Sequence, residues 1–282
     1  MRNKRIVIGC VSENNKKYLS ESLRLLKSIR LFGGSLSKTD FIVCVVDGID
    51  SYYMDQFLSL GAKIRIVERF HPAHPQSNKL RFLELSELEY YECVILLDCD
   101  TLVVQDPAEF VDGDSVQARI AGYPTIPHEI FVELFNFYNM EIPEKKYRCA
   151  VSGDQTILYC NAGVIIIPIR FFVDFVPVWI KLTRELCDNI NILGEYKNYC
   201  EQASFTLALL KDKAVFRELP VEMNCPIPEK NDNISDKIFS CDPIIIHYHH
   251  KVDDFGRIKT NSNVFAKKRI DEFNRAIINF DF

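Results

Sequence analysis

The chain has 282 residues, with 34 Lys and Arg against 39 Asp and Glu, for a formal net charge of -5 at pH 7. That balance, without a basic stripe anywhere in the sequence, excludes a nucleic-acid-binding face. A hydrophobic share of 48% supports a substantial core and excludes wholesale disorder.

In chain order, Arg5–Val11 reads as a buried strand. Residues 15–32 carry Leu19, Leu23, Leu26 and Ile29 at the spacing of one helix face, and Gly33-Gly34 ends that helix. A second buried strand spans Phe41–Val46, a helix covers about 52–60, and a third strand runs over Lys63–Val67. A loop rich in Pro and His follows, with His71 and His74 expected on its surface, and the pattern then predicts a helix over 78–89. Cys93–Leu97 is an apolar run that meets Asp98-Cys99-Asp100 at its carboxyl end. Residues 122–153, with Pro124, Pro127 and Pro143, read as a flap that includes a helix at 129–138. Further elements are a strand over 161–169, a helix over 171–187, a helix over 201–210, a short strand at 243–247 and an amphipathic tail helix over 262–280. Alternation of short apolar runs with amphipathic helices predicts an α/β fold with a mainly parallel sheet and helices on both faces.

The ten cysteines include Cys10, Cys44, Cys93, Cys99 and Cys160 inside or beside apolar runs, and there is no C-x-x-C pair. They read as small core hydrophobes rather than a disulfide framework or a zinc ribbon. The first residues lead straight into a strand, and no segment approaches the roughly 18 apolar residues of a membrane span. A cytoplasmic location is expected.

Asp98-Cys99-Asp100 carries the chemistry. In an open α/β sheet, ligands gather at the carboxyl ends of the strands. Two acids two residues apart at such an end can converge on one hard cation, which then bridges a diphosphate. Acids capping the next element are the plainer alternative, but flanking apolar runs leave the carboxylates in need of a compensating partner. His247-Tyr248-His249-His250 holds three of the six histidines. Strand alternation puts His247 and His249 on one side and His250 on the other, and any of the three is a metal candidate. Asn161-Ala162-Gly163 allows close backbone approach and offers an amide to a sugar hydroxyl.

Four segments, in order, resemble the GT-A glycosyltransferases and within them family 8, the group of glycogenin and bacterial lipopolysaccharide galactosyltransferases. They are Ile95-Leu96-Leu97-Asp98-Cys99-Asp100, Cys160-Asn161-Ala162-Gly163-Val164, Glu201-Gln202 at a helix start, and Ile246-His247-Tyr248. The resemblance implies a GT-A (Rossmann-like) α/β fold in a single domain over 1–282. Residues 1–105 would form the nucleotide-binding half, and residues 106–282 the acceptor-binding half with its C-terminal helix. It implies transfer of a hexosyl unit from a UDP-sugar or other nucleotide-sugar donor to a glycan or other hydroxyl acceptor, with Mn²⁺ (or Mg²⁺) and retention of configuration.

Asp98, Asp100 and His247 are then the metal ligands. Gly9, Cys10, Val11, Lys79, Asp98, Cys99, Asn161, Ala162 and Lys251 are the donor contacts, and Gln202 stands near the reacting carbon. An inverting enzyme would use Asp154 or Glu201 as general base. The family's uracil-reading Asp has no equivalent near Val11 except Glu13, and its glycine-lysine-proline-tryptophan ending is replaced here. A sugar-nucleotide pyrophosphorylase would need a glycine-rich phosphate loop that Gly9-Cys10-Val11-Ser12 does not supply. A non-catalytic nucleotide-sugar-binding protein of the same fold is the remaining alternative. The tail helix is expected to dock on the protein's own core, with peripheral membrane contact as the other use of its apolar face.

Overall fold

The structure is a computed structural model that describes residues 5–227, 235–260 and 262–278. The strands are β1 (Ile6–Glu13), β2 (Asp40–Val46), β3 (Ala62–Val67), β4 (Cys93–Leu97), β5 (Thr101–Val103) and β6 (Val116–Ile120). They continue with β7 (Tyr147–Arg148), β8 (Gln155–Thr156), β9 (Cys160–Pro168), β10 (Phe216–Glu218), β11 (Cys225–Pro226) and β12 (Ile245–His247). The helices are α1 (Lys16–Phe32), α2 (Ser51–Ser59), α3 (Leu80–Leu83) and α4 (His128–Phe137). Four more follow: α5 (Phe175–Asp188), α6 (Cys200–Lys211), α7 (Asp236–Ser240) and α8 (Val264–Ala276).

Seven strands form the main sheet in the order β10-β6-β9-β4-β1-β2-β3. All its neighbours are parallel except β9, which runs antiparallel to both β4 and β6. The sheet is therefore mixed and mainly parallel, as the alternation of elements predicts. One core packs α3, α4, α5 and α6 against one face of the sheet. The other face is covered by α1 and α2. Every residue of β4 is buried, which accounts for its unbroken apolar run.

A second sheet, in the order β11-β12-β5, positions the site. β5 leaves the turn at Asp98–Asp100, and β12 pairs with it antiparallel so that His247 stands opposite Thr101. Two segments far apart in sequence are thus locked in register beside one carboxylate pair.

Several expectations need correction. The segment 78–89 is not one helix but two 3-10 turns, Pro75–Lys79 and Ser86–Tyr90, flanking the four-residue α3, with Leu85 extended between them. Leu80, Phe82, Leu83 and Leu88 are all buried. At 100° per residue those four positions spread around a helix, so no single helix could bury them on one face. The helix expected from residue 171 starts at Phe175, because Pro177 is tolerated only in a first helical turn. His74 is buried rather than superficial, with Nδ1 2.6 Å from Ser77 Oγ.

The strands β6, β10 and β11 lack the apolar pattern that would announce them. In β6, for example, Gln117 and Arg119 interrupt the run and are nevertheless buried. The tail helix α8 buries Ala266, Ile270 and Phe273 in a third cluster with Tyr248 and Leu102, while Phe265 faces outward. Residues 279–280 of the expected tail helix lie outside the described residues. All ten cysteines are buried free thiols. Among the described residues, no helix is long and apolar enough to cross a membrane.

Candidate active site

The Asp98–Asp100 turn is tied down at both ends. Asp98 N–H donates to Gly163 O at 2.9 Å, and Thr101 returns both its N–H and its hydroxyl to Asp98 O at 3.1 and 2.7 Å. The turn lies at the carboxyl end of β4, beside a cavity of about 520 Å³. That is the size class of small-molecule sites.

Ligand atoms of Asp98, Asp100 and His247 all lie within 4.8 Å of one another. Asp100 is 6% exposed, with Oδ1 3.1 Å from His247 Nε2 and Oδ2 3.6 Å from His250 Nε2. Burial pushes its carboxyl up, but the imidazole of His247, with His250 and His249 beyond, outweighs that and holds the acid well below the usual carboxylate range.

A chain of hydrogen bonds fixes the tautomer of His247. Gly163 N–H donates to Asn161 Oδ1 at 2.9 Å, and Asn224 Nδ2 donates to the same oxygen at 2.8 Å. Asn224 must then turn its own Oδ1 to His247 Nδ1, 3.2 Å away. That oxygen needs a donor, so Nδ1 carries a proton and Nε2 is the nitrogen left to face Asp100. A lone pair 3.1 Å from a carboxylate oxygen is repulsive unless a proton or a metal cation lies between them. Two carboxylates and an imidazole oriented through its far nitrogen are a donor set that fits a divalent cation.

Of the other two histidines, His249 lies on the side of His247 as expected and His250 does not lie opposite. His249 and His250 both have positive φ, at 48° and 60°, so the strand has ended before them. His249 stacks on His247 with ring centroids 4.0 Å apart, and burial together with His247 pushes it down to about 3. His250 is not on the opposite side: the left-handed backbone brings it back to Asp100, with Nδ1 2.8 Å from the buried Glu21. That bond to Glu21 raises its pKa.

Lys79 closes the other side. Its Nζ lies 2.5 Å from Asp98 Oδ1, 3.2 Å from Ala162 O and 3.7 Å from Glu201 Oε1. Glu201 is buried between Lys79 and His74 Nε2, which is 3.6 Å from its Oε2. Gln202, Asn161, Cys99 and Val11 border the cavity. Gly9 and Cys10 are buried outside the lining, and a side chain at Gly9 would collide with the Phe82 ring. Ala162 is buried behind Asn161. Lys251 also stands outside the lining, with Nζ donating to Ile227 O at 2.8 Å. Asp154 is exposed in the turn between β7 and β8.

Sequence reasoning did not single out Asn224, Glu21 or Arg119, all buried and within this network or its walls. Each is one polar residue in an otherwise ordinary segment, and no spacing marks it. Glu13 is more visible: it holds Arg69 through two bonds of 2.8 and 2.9 Å, accepts from Asn78 Nδ2 at 2.7 Å, and lines the cavity.

Similar solved structures share this architecture. The galactosyltransferase LgtC, in complex with donor and acceptor sugar analogs, superposes with a TM-score of 0.63 at 14% identity over 96% of this chain and 95% of that one. Mouse xyloside xylosyltransferase 1 gives a TM-score of 0.52 at 12% identity over 86% and 97%. Core-mannan synthase A from Aspergillus fumigatus, in its Mn/GDP form, gives 0.52 at 9% identity over 77% and 73%. A search of the curated proteins finds no match. The fold is that of the GT-A glycosyltransferases and resembles family 8. Residues 9–212, which carry β1, the Asp98–Asp100 turn, Asn161–Gly163 and Glu201-Gln202, match the Rhodobacterales glycosyltransferase domain, and the chain belongs to that family of glycosyltransferases.

Proposed function

We propose that the enzyme transfers a hexosyl unit from a nucleoside-diphosphate sugar, UDP-linked, to a hydroxyl acceptor, with Mn²⁺ or Mg²⁺ and with retention of configuration. The observation that carries this reading is the Asp98–Asp100–His247 cluster, with Nε2 of His247 turned inward by the bond of Nδ1 to Asn224. When bound, the cation would neutralise the charge that develops on the leaving diphosphate. Asp98, Asp100 and His247 would hold it. Lys79 keeps Asp98 and Glu201 in place by charge. Glu13, braced by Arg69 and Asn78, stands where a donor ring could meet an acceptor of hydrogen bonds.

Retention is supported by where the acids lie. Asp154 is exposed and outside the cavity lining, and Glu201 is buried with the Lys79 ammonium 3.7 Å from its Oε1, so neither is placed as a free general base. Gln202 and Asn161 then face the reacting sugar, and the acceptor proton passes to the leaving phosphate. Of the remaining donor contacts, Val11 and Cys99 touch the cavity, while Gly9, Cys10 and Ala162 shape the wall behind it. Lys251 would have to release Ile227 O to reach a phosphate. The Mn/GDP form of the core-mannan synthase favours manganese. We place the protein in a reducing, cytoplasmic setting on the strength of its ten buried thiols.

A panel of UDP-glucose, UDP-galactose and GDP-mannose with Mn²⁺ tests the function. Slow release of nucleoside diphosphate without acceptor, faster for a UDP-sugar, is the expected result. Tight binding with no turnover of any donor would make it a binding protein, and formation of nucleoside triphosphate from pyrophosphate would make it a pyrophosphorylase.

A further inference from the structure

One wall of the cavity holds a buried charge that, among the described residues, no carboxylate meets in a direct ion pair, the Glu218 carboxylate acting on it only from farther off. In β6, Val116, Ala118 and Ile120 face the core beside α5 and α6, while Gln117 and Arg119 point the other way. Gln117 is satisfied there: its Oε1 accepts from Asp112 N and its Nε2 donates to Phe110 O. Arg119 is not. It is 3% exposed, it borders the cavity, and neither its Nε nor its Nη1 has a hydrogen-bond partner.

Burial pushes its pKa down, but only to about 10, so the guanidinium stays charged at neutral pH. A buried, unpaired cation is among the costliest groups a fold can keep, and native structures pair such groups. Replacing it by an apolar residue would remove the cost, so its place on a cavity wall asks for a ligand.

The position narrows what that ligand is. A register shift in β6 sets Arg119 opposite Asn161, and both residues line the cavity together with His249. Asp100 is already met by His247 at 3.1 Å and His250 at 3.6 Å. On the reading above, a cation held by Asp98, Asp100 and His247 would neutralise a diphosphate without Arg119.

We propose that Arg119 receives an anionic group, a carboxylate or a phosphate, carried by one of the two sugars that meet in the cavity. The enzyme's substrate pair then includes a charged sugar. This rests on the glycosyltransferase reading above. A hydroxyl would leave the guanidinium charge unmatched, whereas an oxyanion accepts from it along its fork of N–H groups.

The test begins with metal-free protein in chelator and no nucleotide, so it does not depend on turnover. Arg119→Met should raise the thermal midpoint by about 5 °C, because an unpaired charge is lost. Glucuronate or inorganic phosphate, compared with chloride at equal ionic strength, should raise the midpoint of the unaltered protein by about 3 °C and leave Arg119→Met unmoved.

The source of the anion is then read with Mn²⁺ present. UDP-glucuronate against UDP-glucose tests the transferred sugar, and methyl glucuronide against methyl glucoside tests the acceptor. The charged member of one pair should be favoured about tenfold, and the preference should vanish in Arg119→Met. A lower midpoint in Arg119→Met, with the same response to anions as the unaltered protein, would overturn the proposal and make Arg119 structural. Loss of affinity for UDP itself in that variant would overturn it too, by assigning the guanidinium to the diphosphate.

Discussion

Asp100→Asn should lower turnover about 10³-fold and remove the contribution of Mn²⁺ to nucleotide binding. The substitution keeps the shape of a side chain that is 6% exposed, so the fold has no reason to change. What it removes is the charge facing His247 at 3.1 Å and His250 at 3.6 Å, and with it one ligand of the proposed cation. Nucleoside diphosphate release and calorimetry with Mn²⁺ measure the two effects, and an unchanged circular dichroism spectrum guards against misfolding. Turnover within about threefold of the unaltered enzyme would place the reacting diphosphate elsewhere.

Gly163→Ala is expected to be nearly as damaging, although Gly163 offers no side chain to any ligand. A Cβ there would stand 2.5 Å from His247 Cε1, 2.6 Å from His247 Nδ1 and 2.9 Å from Asn161 Oδ1. Neither neighbour can step aside cheaply. The His247 ring is stacked on His249 and bonded to Asn224, and β9 is held between β4 and β6. Displacing the ring should weaken Mn²⁺ affinity by about 10- to 100-fold, as loss of an orienting partner does. Overpacking should cost about 1–3 kcal/mol of stability. Metal titration followed by intrinsic fluorescence and a denaturant melt separate the two. Unchanged metal affinity in a folded variant would show that His247 does not depend on this close approach.

Much of the frame was legible in the residues because burial left a pattern. The unbroken apolar runs of β1, β2 and β4 and the helical spacing of Leu19, Leu23, Leu26 and Ile29 needed no tertiary information. The Asp98–Asp100 turn was legible for a related reason: two acids between apolar runs stand out against what should be buried. Long-range pairing has no local signal, and only the family resemblance sets His247 beside Asp98 and Asp100. That His247 meets Asp100 follows from the pairing of β12 with β5, two strands of three residues each, whose register no local propensity sets.

The histidine cluster shows a different limit. Alternation over residues 247–250 holds only while the strand continues, but His249 and His250 adopt left-handed backbone, and both return to the same site. Residues 78–89 failed in the opposite sense. A single helix is expected there, while the chain buries its apolar positions on several sides through short turns. Buried polar residues such as Arg119 and Asn224 left no trace, because their environment comes from segments remote in sequence.

The central claim is that Asp98, Asp100 and His247 hold a divalent cation through which the donor nucleotide binds. Calorimetric titration of UDP into the unaltered protein, once with Mn²⁺ and once in chelator, tests it most directly. The account predicts affinity about 100-fold weaker in chelator, because Lys79 is already engaged by Asp98 and Glu201 and cannot offset a diphosphate alone. Equal affinity under the two conditions would contradict it.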